Sequence, residues 1–306
     1  TNTALSSNRL QNVFSRFQDN TNKTGILFQN DSFEWETKLR FQAVQYIKEW
    51  KWSTGFNIQN SSYQNNTRIL RENLTYNTDL NFAKYGFFIK GSRKFLNDRL
   101  DLSLGLRTDA DSFSSGSNLF NNLSPRASFS YNLTEDQQWK LNGSLGRYFK
   151  IPTYTMLGFQ NQISEFINQN AKYSRSDHIV AGLEYNLTPV SRFTVEGFVK
   201  NYANYPISVV DGVSLANKGG GFEVLGNEAI LTDGEGQSSG VELLFQQKLS
   251  RNFYGIFAYT YFFSDFTGLD GISRPSVWDS RHLISFSGGY KLKRNWEISA
   301  RWRFAG

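Results

Sequence analysis

The stretch NWEISARWRF, residues 295–304, separates into two faces when every second residue is taken. Trp296, Ile298, Ala300, Trp302 and Phe304 form one set; Asn295, Glu297, Ser299, Arg301 and Arg303 form the other. Successive side chains of a strand point to opposite faces, so this segment is a strand with an aromatic face and a charged face. The two faces call for two different solvents.

The same alternation recurs along the chain. Leu100, Leu102, Leu104 and Leu106 alternate with Asp101, Ser103, Gly105 and Arg107. Trp139, Leu141, Gly143 and Leu145 alternate with Lys140, Asn142, Ser144 and Gly146. Ile179 to Asn186, Phe193 to Lys200, and Trp35 to Phe41 repeat the pattern. Period two at this frequency marks an all-β chain of about twelve strands, most near the ten residues a tilted strand needs to cross a bilayer. Helical periodicity is scarce; Met156 to Asn168 offers at most a short turn inside a loop.

Short polar turns are expected at FLNDR, NLTEDQQ, NLTPVS, KLSRN and KLKRN, each between two alternating runs. Long connections rich in Asn, Ser, Gly and Asp are expected over roughly Asn60 to Leu80, Asp111 to Leu123, Ile151 to Ser174, Tyr205 to Ser238 and Thr267 to Val277. The five prolines fall at strand ends or in loops, as a fully paired ladder requires. A sandwich predicts shorter strands, and a propeller predicts connections of similar length on both faces. Long strands, short turns at one end, long loops at the other and aromatics on one alternating face predict an antiparallel transmembrane β-barrel. Charges on the lipid side at mid-depth cost about 2–4 kcal/mol each, so Glu297, Arg301 and Arg303 are expected to point inward and the Trp set outward.

Composition agrees. Of 306 residues, 39% are hydrophobic but 16% are aromatic, a balance suited to a surface that is apolar in the middle and wet at its margins. The net charge is +6, yet the Lys and Arg are scattered, which argues against a nucleic-acid partner. There is no cysteine, and the two histidines, His178 and His282, lie far apart, so neither a thiolate nor a His-rich metal site is expected. The opening TNTALSSNRL lacks the pattern of a signal peptide, and the chain ends on RWRFAG without an aromatic closing strand; the expectation is a fragment, residues 1–306, of a larger barrel.

Several stretches resemble the C-terminal barrel of TonB-dependent outer-membrane receptors, especially those of Bacteroidetes: NLSPRASFSYNL, WKLNGSLGRYFKIPTYTMLGF, SDHIVAGLEYNL, GQSSGVELLFQQKLSRNFYGIFAYTYFFSDF and VWDSRHLISFSGGYKLKRNWEISARWRF. Gly240 and Glu242 match a G-x-E strand, Tyr259 to Tyr261 a Y-T-Y strand, and Asp279, Arg281 and His282 a D-x-R-H element. The likeness is clear over about Asn81 to Phe304. It implies a barrel of about 22 strands with a plugged lumen. It also implies an N-terminal plug domain and a TonB box, both absent from these residues, and energised import of a scarce solute. Partners implied are the chain's own plug, TonB, membrane lipid and lipopolysaccharide, and a small-molecule ligand. A ferric siderophore or similar chelate is favoured, more on family grounds than on chemistry. The alternative is a passive or structural pore.

Lumen-facing candidates are Lys38, Arg40, Arg107, Lys140, Glu184, Glu196, Lys200, Glu242, Arg301 and Arg303. Loop aromatics expected near a ligand are Tyr148, Phe149, Tyr154, Phe159, Tyr202 and Tyr205. No cofactor and no catalytic residue is expected. WDSRH, 278–282, gathers Asp, Ser and His, but alternation along a strand sends Ser280 and Asp279 to opposite faces and leaves an Asp279–Arg281 pair. NKGGGFEV, 217–224, lacks the Lys-Ser/Thr ending of a phosphate loop. Asp109, Asp111, Asp233 and Glu235 lack Ca²⁺-loop spacing and read as solvated loop carboxylates.

Overall fold

The computed structural model describes residues 1–70, 74–161, 163–219 and 226–306. The strands are β1 (Asn2–Asp19), β2 (Thr24–Ile47), β3 (Trp50–Ile69), β4 (Leu74–Phe95), β5 (Leu100–Asp111), β6 (Ser124–Asn132) and β7 (Trp139–Lys150). After the single turn α1 (Tyr154–Leu157) come β8 (Ser174–Thr188), β9 (Ser191–Ser208), β10 (Ile230–Ser250), β11 (Phe253–Thr267), β12 (Ser273–Pro275), β13 (His282–Lys291) and β14 (Glu297–Ala305). All fourteen belong to one antiparallel sheet in sequence order, with β12 attached beside β11. The count exceeds the expected twelve. β1 opens on residues without clean alternation and β12 has only three residues, so period two does not reveal them. No helix among the described residues is long and apolar enough to cross a membrane.

Register shows what each face carries, because directly paired residues share a face. Trp139, Tyr185, Phe193, Phe245, Phe257, Phe286 and Trp302 pair in succession across β7, β8, β9, β10, β11, β13 and β14. Trp139 and Tyr185 stack at 4.4 Å between ring centroids. Three more rows of this face follow along the strands. One is Leu141, Leu183, Val195, Leu243, Tyr259, Ile284 and Phe304; the next is Gly143, Ala181, Gly197, Val241, Tyr261 and His282; the last is Leu145, Ile179, Val199, Ser239 and Phe263. The row beyond changes character: Arg147, Asp177, Asn201, Gln237 and Asp265. Four nearly polar-free rows bounded by a polar one make a band of the height a bilayer covers. Trp302 and Trp296 are 53% and 70% exposed on this face, and no protein packs on it among the described residues.

The opposite face is polar. Arg303 pairs with Ser285, then Ala258, Leu244, Thr194, Glu184, Lys140 and Asn132 follow in register. This face is also where the sheet curls: the connection after β7 carries Tyr154 over to Ser61 on β3, which only an inward-curving sheet permits.

Two expectations about the connections need correction. Asn60 to Leu80 is not a loop, since β3 runs to Ile69 and β4 starts at Leu74, paired throughout. Buried Asn30 donates to Asn65 Oδ1 at 2.6 Å and to Thr67 Oγ1 at 2.8 Å, a polar ladder beside the buried apolar side chains of Tyr63 and Leu80. Likewise, β9 and β10 extend to Ser208 and from Ile230, into the segment expected to be loop. The strict alternation of short and long connections therefore holds only from β4 onward.

Candidate functional site

The curled face gathers most of the chain's chemistry. Arg107, Lys140, Glu184, Glu196, Lys200, Glu242, Arg301 and Arg303 all lie on it, as do Lys38 and Arg40. Several are partnered: Lys140 and Arg192 approach Glu184 at 3.6 and 3.5 Å. Arg107 is clamped by Asp109 and donates to Asn57 Oδ1 at 2.9 Å. Other cations have no carboxylate partner among the described residues. Lys90, Arg126, His178 and Lys200 fall on one register row, with Gly105 and Gly146 on either side of Arg126. A Cβ on Gly146 would lie 2.9 Å from the Tyr148 ring, which fills the space the glycine leaves. Arg126 sits 4.2 Å from that ring's centroid, and His178 lies 4.5 Å from it on the next strand. Arg40 and Lys200 rest instead over Phe88 and Phe198, at 5.9 and 5.0 Å. A cavity of about 340 Å³ is lined by Arg40, Lys90, Arg107, Arg126 and Tyr148. Guanidinium groups on aromatic faces remain free to bind an anion through their edges.

Above this basic surface the connections fold in. The Tyr154 hydroxyl meets Glu36, Lys84 and, at 3.1 Å, Ser61 Oγ, while Lys84 Nζ pairs with Glu36 at 3.1 Å. The Tyr154 ring packs on Tyr63 and Phe82, within an apolar cluster that includes Leu80, Met156, Leu157 and Leu215. Burial, then the Glu36 carboxylate, pushes the Tyr154 phenol well above its ordinary pKa. Tyr173 is shifted the same way by burial and by Asp111, whose Oδ2 it reaches at 2.9 Å. A second aromatic group, Tyr202, Tyr205 and Trp278, surrounds the fully buried Phe266, with ring centroids 5.1, 4.6 and 5.6 Å away.

The aromatic candidates therefore divide. Tyr148, Phe149, Tyr202 and Tyr205 are on strands β7 and β9, not in loops, because those strands outrun the apolar band. Tyr154 is a buried anchor; Phe159 is in the connection after α1, half-buried. Lys90, Arg126, Phe266 and Trp278 escape sequence reading because their association depends on register between strands far apart in the chain.

The other sequence patterns resolve structurally. Asp279 and Arg281 pair at 3.4 Å, but the segment is a turn and not a strand: Arg281 has φ 51°. His282 Nδ1 meets the Tyr259 hydroxyl at 2.9 Å, and Ser280 Oγ donates to the Trp278 carbonyl at 3.5 Å, so the serine hydroxyl and the imidazole each have another partner. Asp111 is buried, accepting the Phe113 and Ser114 amides, and is not a solvated loop carboxylate; Asp233 is exposed, on β10, and pairs with Lys172 at 3.3 Å. No cluster of metal-ligating side chains occurs among the described residues. Most of NKGGGFEV, from Gly220 on, lies outside the described residues.

Comparison with known proteins places this architecture. The copper transporter OprC superposes with a TM-score of 0.68 at 15% identity, over 98% of this chain and 48% of its own. The ferripyoverdine receptor of the outer membrane of Pseudomonas aeruginosa gives 0.65 at 12% identity, over 99% and 43%. The alcaligin outer-membrane receptor FauA from Bordetella pertussis gives 0.58 at 13%, over 91% and 47%. The chain thus spans under half the length of these structures. No curated protein matches it. A family model, the TonB-dependent receptor-like β-barrel, matches residues 1–306. Such barrels are receptors of the bacterial outer membrane, and this chain belongs to the TonB-dependent receptor β-barrel family.

Proposed function

We propose that the curled face lines the lumen of a TonB-dependent importer, and that the solute carried is an anionic metal chelate, a ferric siderophore first among them. The observation that carries this reading is the row of cations without carboxylate partners among the described residues, Lys90, Arg126 and Lys200, with Arg40 beside it. Uncompensated positive charge in a confined, low-dielectric passage concentrates anions and raises their capture rate. A ferripyoverdine receptor and a copper transporter share the fold, which supports a metal or chelate as cargo. On this reading the chain works within a longer protein whose plug closes the lumen and whose contact with TonB supplies energy.

The test is growth of a deletion strain carrying the full-length protein, with ferric chelates, cobalamin or glycans as the limiting nutrient. Rescue by an anionic ferric chelate, lost when Arg126 and Lys200 are both changed to Gln, is the expected result. Rescue by a neutral glycan or cobalamin alone contradicts the chelate assignment. Rescue that persists without TonB supports a passive pore instead.

A further inference from the structure

Ser92, Ser103, Ser128 and Ser144 pair in succession across β4, β5, β6 and β7, on the polar face of the sheet. One row along, Gly105 and Gly146 flank Arg126. Small side chains set side by side leave a depression, and the long ones stand around it. That depression is the cavity of about 340 Å³, with Ser103, Gly105, Ser128 and Ser144 as its small members and Arg40, Lys90 and Arg126 as its cations. No Asp or Glu lines it. Arg107, also at its edge, is neutralised by Asp109. None of the three serine hydroxyls has a protein partner among the described residues. The rest of the polar face is built differently: there Lys140 and Arg192 meet Glu184, and Lys84 meets Glu36.

We infer that this cup is a binding site for a phosphate monoester, a class of solute apart from metal chelates. The inference rests on the reading of this face as a lumen wall and does not require the chelate. Directly paired residues of neighbouring strands stand about 5 Å apart, so the three hydroxyls make a short line of donors beneath a ligand. A hydroxyl turns its hydrogen to suit the acceptor, while the guanidinium and ammonium groups donate from the sides. Donors that arrive from below and from several sides suit a tetrahedral dianion, whose oxygens point in all directions. A carboxylate holds its two oxygens in one plane and leaves part of this set unused. Hydrogen bonds to a charged acceptor are also the strong ones, and here every donor finds one. The cavity exceeds a bare phosphate, and the space beside Phe88 and Tyr148 takes the small organic group that the phosphate esterifies.

The experiment titrates the full-length receptor, purified in a neutral detergent, with glucose 6-phosphate, glucose and citrate, followed by calorimetry. Wild type is expected to bind glucose 6-phosphate, to ignore glucose, and to bind citrate about tenfold or more weakly, the hydroxyl contacts being unmade. In the triple variant Ser103→Ala, Ser128→Ala, Ser144→Ala the cations remain, and the preference for the phosphate ester over citrate is expected to vanish. A Cβ at Gly105 would find its nearest neighbour at 3.5 Å, an ordinary contact, so Gly105→Val fits the backbone and fills the cup without touching a charge or a hydroxyl. It is expected to abolish binding of the ester. Equal affinity of wild type for ester and citrate, a preference that survives the triple variant, or full binding by Gly105→Val overturns the site. A wild type that binds no ester yet supports growth on an anionic chelate defeats the site alone. One that does neither defeats the lumen reading beneath it.

Discussion

Tyr154, on the connection between β7 and β8, brings its hydroxyl to 3.1 Å from Ser61 Oγ on β3. Four intervening strands lie between the two elements in the sheet order, β4, β5, β6 and β7, so this contact pins a strap across the mouth of the curled sheet. Burial holds the phenol protonated, keeping it a donor toward Glu36. Tyr154→Phe keeps the ring packing on Tyr63 and Phe82 but leaves Glu36 and Ser61 without that partner. The expected cost is about 1–3 kcal/mol. It is read as a lowered melting temperature of the full-length receptor in detergent; an unchanged melting temperature contradicts the strap.

The two faces of the sheet make opposite demands on charge. Val241 lies in the third apolar row, between Gly197 and Tyr261. Val241→Arg places a guanidinium in hydrocarbon and is expected to cost about 2–4 kcal/mol. Thr194→Arg, on the other face opposite Glu184, is expected to cost much less. Equilibrium refolding into lipid vesicles measures both, and equal penalties contradict the assignment of faces.

These face assignments were legible in the sequence because period two is a local property. Trp302 and Arg303 declare their solvents without knowledge of any partner strand. The polar upper parts of β3 and β4 were not legible, since Asn65 and Thr67 resemble loop residues until Asn30 is brought opposite them. The basic surface around Arg126 was hidden for a related reason. Its neighbours Lys90 and His178 come from β4 and β8, and only register unites them. Tyr154 reads in the sequence as a loop aromatic near a ligand; its burial against Phe82, a residue distant in sequence, makes it an anchor and depends on the fold.

The connection after β11 offers a test by pH. Asp270 accepts from both terminal nitrogens of Arg274, at 3.0 and 2.6 Å, and from the Ile272 amide at 3.0 Å. Arg274, and after it the Ile272 N–H, holds the carboxyl at about 2, below its ordinary 3.8. A depressed pKa means that the pair is intact above the ordinary value and is lost as pH falls through the folded one. Carboxyl-carbon NMR of labelled protein is expected to show Asp270 still ionised at about pH 3. In Arg274→Gln the midpoint returns toward 3.8; a midpoint near 3.8 in the unaltered protein contradicts the pair.

The central claim is that one face of this sheet meets lipid and the other meets water. These 306 residues contain no cysteine, so single cysteines are placed at each position from Glu297 to Phe304, with any cysteine elsewhere in the full-length receptor first changed to Ser. Spin labels at these sites in the full-length receptor, reconstituted in vesicles, report contact with oxygen, which partitions into lipid, or with a water-soluble nickel chelate. Oxygen contact is expected to peak at 298, 300, 302 and 304, and nickel contact at 297, 299, 301 and 303. A profile without that period of two, or with the two sets exchanged, would contradict the account.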